Sequence, residues 1–245
     1  GFWEGNNVGT RSVKVVTGEI TGTGDGEILI GAHHDSVYIS PGAVDNAVGV
    51  SQLFEIASHV SELELESTVK FATWGGEELG LLGSQAYIDA YQDEIDNLDM
   101  YINLDSTNLN PENGLSTLGI ETSDKNLADS ISSIKQSVMD NDEWSDYSVS
   151  VNLNENGGNS DHRAFAQHGT TTIGLFGWEY AEYHRQTDVP SVVNQEGMGL
   201  SVEIVLHIVA AQGGHNTAEE PLIQISGLEG ESENWVFPFI LALLA

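Results

Sequence analysis

Apolar positions along the chain fall into two patterns, short continuous or alternating runs and runs with helical spacing. The first pattern predicts strands at 12–20, 27–32, 68–74, 100–104, 147–151 and 171–176. The second predicts helices at 47–60, 79–91, 125–139, 161–167 and 197–212. Strands that alternate with helices favour an α/β fold, with helices on both faces of a sheet that is mainly parallel at its centre.

The two ends of the chain and one internal segment lie outside the predicted strands and helices. Residues 1–10 and 107–117, rich in glycine and asparagine, predict loops. We place a single domain at 1–212, followed by a polar linker and an apolar run at 235–245. That run is shorter than the roughly 20 apolar residues that span a bilayer, so it is either a cut-off anchor or a segment packed on the domain. The chain starts at Gly1 and is interpreted as processed or cropped at this end.

Length and composition limit the chemistry. A chain of 245 residues suits one sizeable α/β domain or at most two small ones. It contains no cysteine, which excludes thiolate catalysis, disulfides and cysteine-ligated zinc. Any zinc must therefore bind to histidine, aspartate and glutamate.

The net charge further restricts the partners that the protein can bind. The chain has 38 acidic and 7 basic residues, a formal net charge of −31. No basic patch can be assembled from so few cations, which excludes nucleic acid and anionic membrane as partners. Because like charges on a folded surface repel and need screening, we interpret the protein as adapted to high salt. The alternative is an ordinary acidic secreted protein.

Two adjacent carboxylates stand where a predicted strand gives way to a predicted helix. Glu77 and Glu78 follow the strand at 68–74 and a pair of glycines. Neighbouring side chains at a strand end point in different directions, so one glutamate can bind a metal while the other transfers a proton. The alternative is a solvated acidic turn, favoured by the dipole of the following helix.

Further histidines and carboxylates also stand at the ends of predicted elements. They are His33, Asp35, Asp45, Asp105, His184 and Asp188. In open α/β sheets, ligand crevices form at the carboxyl ends of strands, so these residues can meet in space. Each also has a structural explanation: a helix N-cap for Asp45, a turn residue for Asp105 and an ordinary buried or surface role for each histidine.

Taken together, these segments resemble a known family. The motifs are Gly-Ala-His33-x-Asp35-Ser, Gly42-Ala-x-Asp45-Asn, Glu77-Glu78-x-Gly-x-x-Gly-Ser84, Asn103-x-Asp105, Ser160-Asp161-His162-x-x-Phe165 and Tyr183-His184-x-x-x-Asp188. Their order and content resemble the co-catalytic zinc aminopeptidases typified by bacterial leucyl aminopeptidases. The resemblance runs from about residue 12 to residue 212, although the usual start of the family domain is shortened or missing here.

The resemblance implies a three-layer α/β/α exopeptidase domain that binds two zinc ions and acts on peptides. His33 and Asp105 would bind one ion. Glu78 and His184 would bind the other, and Asp45 would bridge the two. A bridge is physically required, because two cations that lie a few ångströms apart repel each other and a shared anion offsets the repulsion.

The same resemblance implies roles for the remaining polar residues of these motifs. Glu77 would be the general acid and base, and Tyr183 a donor to the developing oxyanion. Four residues would lie behind the ligands or beside the substrate: Asp35, Asp161, His162 and Asp188. Of these, Asp161 and His162 are expected to line the substrate cleft, while Asp35 is the candidate acceptor for the second ring nitrogen of a ligand histidine.

Several alternatives stay open at this point. His34 competes with His33 as a ligand, and we favour His33 because Asp35 then lies two residues behind it. Arg163 and Arg185 lie inside motif segments, and an arginine in the cleft would suit a carboxypeptidase or dipeptidase by binding a substrate carboxylate. An aminopeptidase instead needs acidic groups for the free α-amine, which this chain supplies, and we favour that interpretation.

Two readings outside peptide hydrolysis remain, a single-zinc glutaminyl cyclase and a catalytically dead binding module. Both are disfavoured because every expected ligand and the base are present. A nuclease or phosphatase is disfavoured by the negative charge. The aromatic loop at 175–183 either lines a specificity pocket or packs in the core. Relatives are often exported, so we expect a secreted or cell-surface protein in a high-salt environment, with a cytoplasmic location as the alternative. The sequence does not indicate an oligomeric state.

Overall fold

The computed structural model describes residues 12–177 and 180–214. The predicted loop at 1–10 and nearly all of the predicted linker and apolar run lie outside these residues, as do two positions of the aromatic loop. Across the described ranges, no helix is both long enough and apolar enough to cross a membrane. The last described residues still contact the domain, since the backbone carbonyl of Gly213 accepts hydrogen bonds from Glu66 and Ser67. These contacts extend just past the predicted boundary at 212.

The described residues contain a seven-stranded mixed sheet. Its strands are β1 (Val15–Ile20), β2 (Glu27–His33), β3 (Thr68–Trp74), β4 (Met100–Asp105), β5 (Thr117–Thr122), β6 (Ser148–Leu153) and β7 (Thr172–Phe176). They lie side by side in the order β1-β3-β2-β4-β7-β5-β6. The four central strands are parallel, while β1 pairs antiparallel with β3 and β5 pairs antiparallel with β7. The predicted mixed, mainly parallel sheet is confirmed.

Helices cover both faces of this sheet. They are α1 (Gly49–Val60), α2 (Leu82–Ala90), α3 (Gln92–Ile95), α4 (Lys125–Met139), α5 (His162–His168) and α6 (Gln195–Gln212). Helices α1, α4 and α6 pack on one face, and α2, α3 and α5 on the other. Strand β2 shows why two cores form, because Ile28 and Ile30 point into the first while Leu29 points into the second. The predicted three-layer α/β/α arrangement is therefore confirmed.

Two elements differ from the sequence prediction. Helix α2 begins at Leu82, not at residue 79, because Gly80 (φ 105°) and Leu81 (φ 59°) adopt left-handed backbone that interrupts the helix. Strand β5 was not predicted at all. Its alternation is only Leu118 and Ile120, next to a loop rich in asparagine and glycine, which was too short a signal to separate from that loop.

The start of α1 also differs. The predicted helix at 47–60 begins at Gly49 and is preceded by an irregular turn, Ala43–Val48, in which Asp45 and Asn46 have non-helical backbone angles. The N-cap residue of α1 is Val48, and no side chain makes a capping hydrogen bond there. The N-cap explanation for this aspartate is therefore excluded, which leaves its buried carboxylate free for another role.

Candidate metal centre

The parallel pairing of β2, β3, β4 and β7 carries the predicted ligands to one edge of the sheet. His33 is the last residue of β2 and Asp105 the last residue of β4. Glu78 lies in the turn after β3, Asp45 in the turn before α1, and His184 in the loop that follows β7. Because parallel strands end at the same edge, residues separated by up to 151 positions along the chain (184 − 33) meet there.

Five side chains form two overlapping groups at this edge. In the first, Nε2 of His33 lies 3.1 Å from Oδ1 of Asp45 and 3.5 Å from Oδ1 of Asp105. In the second, Nε2 of His184 lies 3.1 Å from Oδ2 of Asp45 and 3.2 Å from Oε2 of Glu78. Within each group, one ligand atom from each residue lies within 4.8 Å of the others. Asp45 belongs to both groups and gives one oxygen to each.

The ligand atoms fit a pair of metal ions. Nε2 of His33, Nε2 of His184 and Oε1 of Glu78 are buried and make no hydrogen bond. Buried polar atoms are normally paired, since leaving one without a partner costs free energy. Imidazole nitrogen together with carboxylate oxygen is a ligand set that zinc accepts. These unpaired atoms converge on the same space, so a metal ion bound in each group would satisfy them.

The excess of carboxylates in the two groups shifts the pKa values of Glu78 and His33. Burial, followed by the negative charge of Asp45, raises the pKa of Glu78 to about 8. Burial by itself would lower the pKa of His33, but the carboxylates around it, Asp105 foremost, raise it well above the usual value. Two nearby cations would reverse the shift at Glu78, because they favour its ionised form.

Glu77 and Glu78 separate as the strand-end geometry predicts. Glu78 belongs to the second metal group, while Glu77 belongs to neither. Burial raises the pKa of Glu77 to about 9. The backbone N–H groups of both glutamates donate to the carboxylate of Asp35, at 3.0 and 3.3 Å. Asp35 therefore fixes the turn that presents one carboxylate to a metal and leaves its neighbour free.

The predicted role of Asp35 as an acceptor for His33 needs a change. Nδ1 of His33 lies 3.1 Å from the backbone carbonyl oxygen of Asp35 and 3.7 Å from its carboxylate. The backbone oxygen is thus the closer partner for the ring, and it keeps Nε2 facing the metal group. The rival histidine, His34, places Nδ1 against the hydroxyl of Thr73 and lies outside both groups.

Asp188 holds the backbone at Asp45, the ligand that both metal groups share. Its carboxylate accepts hydrogen bonds from the backbone N–H groups of Val44 (2.8 Å) and Asp45 (3.2 Å). The hydroxyl of Tyr180 also donates to it, at 3.0 Å. Asp188 is fully buried and holds the irregular turn in which Asp45 lies. It therefore acts on the backbone of the ligand rather than on a substrate.

The expectation that Asp161 and His162 line the substrate cleft is wrong. Both are buried, at 0% and 4% exposure. Asp161 accepts a hydrogen bond from the hydroxyl of Ser84, and burial raises its pKa to about 6. Nε2 of His162 lies 2.7 Å from Oε1 of Glu121. Helix α5, which begins at His162 directly after Asp161, packs on β4 and β7, and both side chains are removed from solvent.

Tyr183 lies at the open side of the centre. Its ring stacks on that of His184, with centroids 3.8 Å apart, and its side chain is 41% exposed. Burial of the hydroxyl and the charge of Asp45 raise its pKa above the ordinary value, so the phenol keeps its proton. It is therefore a hydrogen-bond donor next to one of the metal groups.

Comparison with known proteins decides the family. The model of peptidase family M28 matches residues 15–209, which is most of the chain. The chain belongs to peptidase family M28. The family resemblance that the motifs predict is thereby confirmed.

Individual relatives of this M28 chain match it over part of their length. Leucine aminopeptidase 2 of Trichophyton equinum is 39% identical over 79 residues, 32% of this chain and 16% of that protein. The aminopeptidase from Aneurinibacillus sp. strain AM-1 has a TM-score of 0.71 at 25% identity, covering 85% of this chain and 49% of the other. The zinc aminopeptidase BSAP from Bacillus subtilis has a TM-score of 0.70 at 23% identity, covering 84% and 51%, which shows a shared fold. The match spans about half of these solved chains and far less of the curated relative.

Two residues that hold predicted site residues were not themselves predicted from the sequence. Tyr180 holds the carboxylate of Asp188, and Glu121 pairs with His162. Tyr180 lies three positions before Tyr183, a spacing that gives no reason to single it out. Glu121 lies on β5, the strand that the sequence prediction missed, so its neighbours could not be inferred.

Proposed function

We propose that this chain is the catalytic domain of an aminopeptidase that removes N-terminal residues from peptides with the help of two zinc ions. The observation that carries the proposal is the pair of ligand groups joined through the two oxygens of Asp45. Membership of family M28 and the names of the relatives, which include a zinc aminopeptidase, support it.

In this proposal, His33 and Asp105 hold one ion, Glu78 and His184 hold the other, and Asp45 bridges them. Zinc in such a site supplies Lewis acidity, which lowers the pKa of water and polarises a carbonyl oxygen. The protein supplies the geometry. Its three ligand carboxylates offset the charge of the cations, and both imidazoles present Nε2 atoms that have no competing hydrogen bond.

Glu77 is proposed to move the proton. It takes a proton from the attacking water and gives it to the nitrogen of the leaving amine, which needs a carboxylate that is ionised at the start of the reaction. Its pKa of about 9 in the absence of cations is too high for that state. Positive charge nearby lowers the pKa of a carboxyl group, so occupancy of the centre and ionisation of Glu77 are linked.

Tyr183 is proposed to donate a hydrogen bond to the developing oxyanion of the substrate. Its raised pKa keeps the phenol protonated, and its partly exposed side chain lies against the ring of His184. A donor placed where negative charge develops stabilises the transition state.

Carboxypeptidase and dipeptidase activities are the alternatives. They need a cation for the substrate carboxylate. Arg163 lines a cavity of about 580 Å³ together with Glu121 and several amide side chains, and none of the metal-group residues lines that cavity. The side chains that gather around the centre are acidic, which suits the α-ammonium group of an N-terminal residue.

The test compares two substrates on the zinc-loaded protein. An aminopeptidase hydrolyses an aminoacyl-anilide with a free amine and leaves an N-blocked dipeptide intact. Hydrolysis of the blocked dipeptide alone would overturn the aminopeptidase assignment in favour of a carboxypeptidase. Zinc analysis of the same sample is expected to give two ions per chain, and a preparation that takes up none would refute the metal mechanism.

The setting of the enzyme is a separate proposal. The net charge of −31 supports a protein that works in high salt, and a relative from Mycobacterium tuberculosis named a probable lipoprotein aminopeptidase supports a location at the cell surface or outside the cell. Activity measured from dilute buffer to molar KCl checks the first half of this statement. An enzyme that loses activity steadily as KCl is added would contradict it.

A further inference from the structure

Two turns beside the metal centre present large apolar side chains to solvent. Tyr38 and Ile39 are the central residues of a turn in which the N–H of Ser40 donates to the carbonyl oxygen of Val37 at 2.9 Å. Tyr38 is fully exposed and Ile39 is 57% exposed. Leu79, in the turn after β3, is also 57% exposed. Turns normally carry glycine, proline, asparagine, aspartate or serine at such positions, so these apolar residues are unusual there.

Asp35 joins the two turns to each other. Its carboxylate accepts hydrogen bonds from the backbone N–H groups of Glu77 and Glu78, at 3.0 and 3.3 Å. The exposed pair of the first turn follows Asp35 by three and four residues, which places it at most about 14 Å away. The exposed leucine of the second turn follows the ligand Glu78 directly. We refer to the three exposed side chains as the apolar rim: Tyr38, Ile39 and Leu79.

The apolar rim lies at the open side of the centre. The side chains of His184 and Asp35 are 37% and 23% exposed, whereas those of His33 and Asp45 are only 1% and 5% exposed. Solvent therefore reaches the centre on the side of His184 and Asp35. An enzyme that holds the first residue of a peptide at the metal ions leaves the later residues to pass out through this side. Each later residue of an extended peptide lies about 3.3–3.6 Å further out, so the second and third residues pass the rim.

We propose that the apolar rim binds apolar side chains at the second and third positions of a peptide substrate, beyond the bond that is cleaved. The inference rests on the proposed aminopeptidase function and names the class of peptide that it favours. Each methylene group that leaves water on binding strengthens the contact by about fourfold. In the high-salt setting proposed above, charge contributes little to this choice, because salt screens exposed charges.

The competing explanation is that these side chains are ordinary surface residues, since single exposed apolar residues are common on proteins. Leu153, the last residue of β6, is such a residue and is partly exposed. Strand β6 runs parallel to β5, and β5 runs antiparallel to β7. Leu153 therefore lies at the edge of the sheet opposite the metal centre. Serine at position 79 and serine at position 153 remove the same apolar group, so the two substitutions separate substrate binding from a general surface effect.

The experiment measures kcat and KM of the zinc-loaded wild type and three variants with Leu-Leu-Gly, Leu-Ser-Gly and leucinamide, which has no second residue. The wild type is expected to cleave Leu-Leu-Gly with a kcat/KM about 10-fold higher than Leu-Ser-Gly. Ile39→Ser and Leu79→Ser should each lower kcat/KM for Leu-Leu-Gly by about fourfold more than for leucinamide. The loss should appear mainly in KM, because the contact is the same in the bound substrate and in the transition state. Leu153→Ser is the matched control and should keep the wild-type preference.

The possible failures are distinguishable. If the wild type cleaves Leu-Leu-Gly and Leu-Ser-Gly equally well, or if Ile39→Ser and Leu79→Ser keep its preference, the role of the rim is overturned and the proposed function stands. Equal losses for leucinamide and Leu-Leu-Gly would place the rim against the first residue and overturn its assignment to the later ones. A loss in Leu153→Ser as large as that in Leu79→Ser would show a general surface effect and also overturn the role. A wild type that hydrolyses none of the three substrates overturns the proposed function and this inference together.

Discussion

Histidines contact carboxylates both in the metal groups and in the Glu121–His162 pair, and the charges in these two regions are balanced in opposite ways. In the Glu121–His162 pair, one imidazole faces one carboxylate at 2.7 Å, and Asn154 donates to the other carboxylate oxygen, also at 2.7 Å. Burial by itself would raise the pKa of Glu121, but the hydrogen bonds from His162 and Asn154 lower it overall. This pair satisfies its carboxylate without any added ion.

The metal groups are not balanced in this way. Three carboxylates face two imidazoles whose Nε2 atoms make no hydrogen bond, and Glu77 adds a further acid beside them. A surplus of buried negative charge is costly unless a cation offsets it. The comparison teaches that burial of acid beside histidine does not by itself indicate a metal site. The surplus of acid does, whereas a ring nitrogen without a hydrogen bond occurs in both regions, since Nδ1 of His162 also has none.

The largest expected effect is on turnover, and it distinguishes the metal groups from the Glu121–His162 pair. Glu77→Gln keeps the size of the side chain and removes the proton acceptor, so turnover should fall by about 10²–10⁴-fold while zinc content is unchanged. Glu121→Gln is the matched control in the balanced pair and should keep turnover within a few-fold of the wild type. Steady-state kinetics and zinc analysis check both, and near-normal rates for Glu77→Gln would show that another group moves the proton.

Metal removal is the next largest effect. Zinc that binds only the folded state stabilises it by about 4 kcal/mol when its free concentration is 1,000 times the dissociation constant. Chelation should therefore lower the melting temperature of the wild type and of Glu121→Gln by the same amount, because the pair needs no ion. An unchanged melting temperature after complete removal of zinc would contradict the surplus-charge argument.

The Glu121–His162 pair is expected to stabilise the folded protein. Glu121→Gln should lower the free energy of unfolding by about 1.5–3 kcal/mol at neutral pH, the usual range for hydrogen bonds to charged groups. Denaturant unfolding of the zinc-loaded protein measures this. An equal loss for an exposed substitution such as Asp129→Asn on α4 would show that the pair has no special contribution.

The same pair gives a pH dependence with a defined sign. The folded pKa of Glu121 is below its ordinary value, so its contribution is present above the unfolded pKa of about 4.3 and is lost as the pH falls through the folded pKa. The stability difference between wild type and Glu121→Gln should shrink in that acidic range. A difference that grows below pH 4 would reverse the assignment.

The smallest effects per residue are expected on the surface. Replacing one exposed acid, as in Asp129→Asn, should change stability by at most about 0.5 kcal/mol. The 38 acidic residues repel one another collectively, so molar KCl should raise the melting temperature by screening. Melting curves in dilute buffer and in KCl test this, and the absence of any salt stabilisation would contradict adaptation to high salt.

Sequence patterns predicted six of the seven strands of the described sheet but missed β5, which lies between β7 and β6. Strand β3 and helix α4 were predicted with their observed bounds, because each has a long periodic run of apolar residues. Strand β5 was missed because Leu118 and Ile120 give too short an alternation. The break before α2 was missed because the left-handed backbone at Leu81 is imposed by the fold and is unusual for leucine.

The sequence alone determined which side chains stand at the ends of elements, that no thiolate can take part, and that the acidic surplus is large. The prediction of the five candidate ligands and of Glu77 came from the resemblance of its ordered motifs to a known family, since each motif alone also has a structural explanation. Only the tertiary structure decided which atoms meet. The parallel pairing of β2, β3, β4 and β7 places His33, Asp105 and Glu78 at one edge, and helix α5 buries Asp161 and His162 away from solvent. Strand pairing and helix packing depend on contacts between distant segments, which local patterns do not contain.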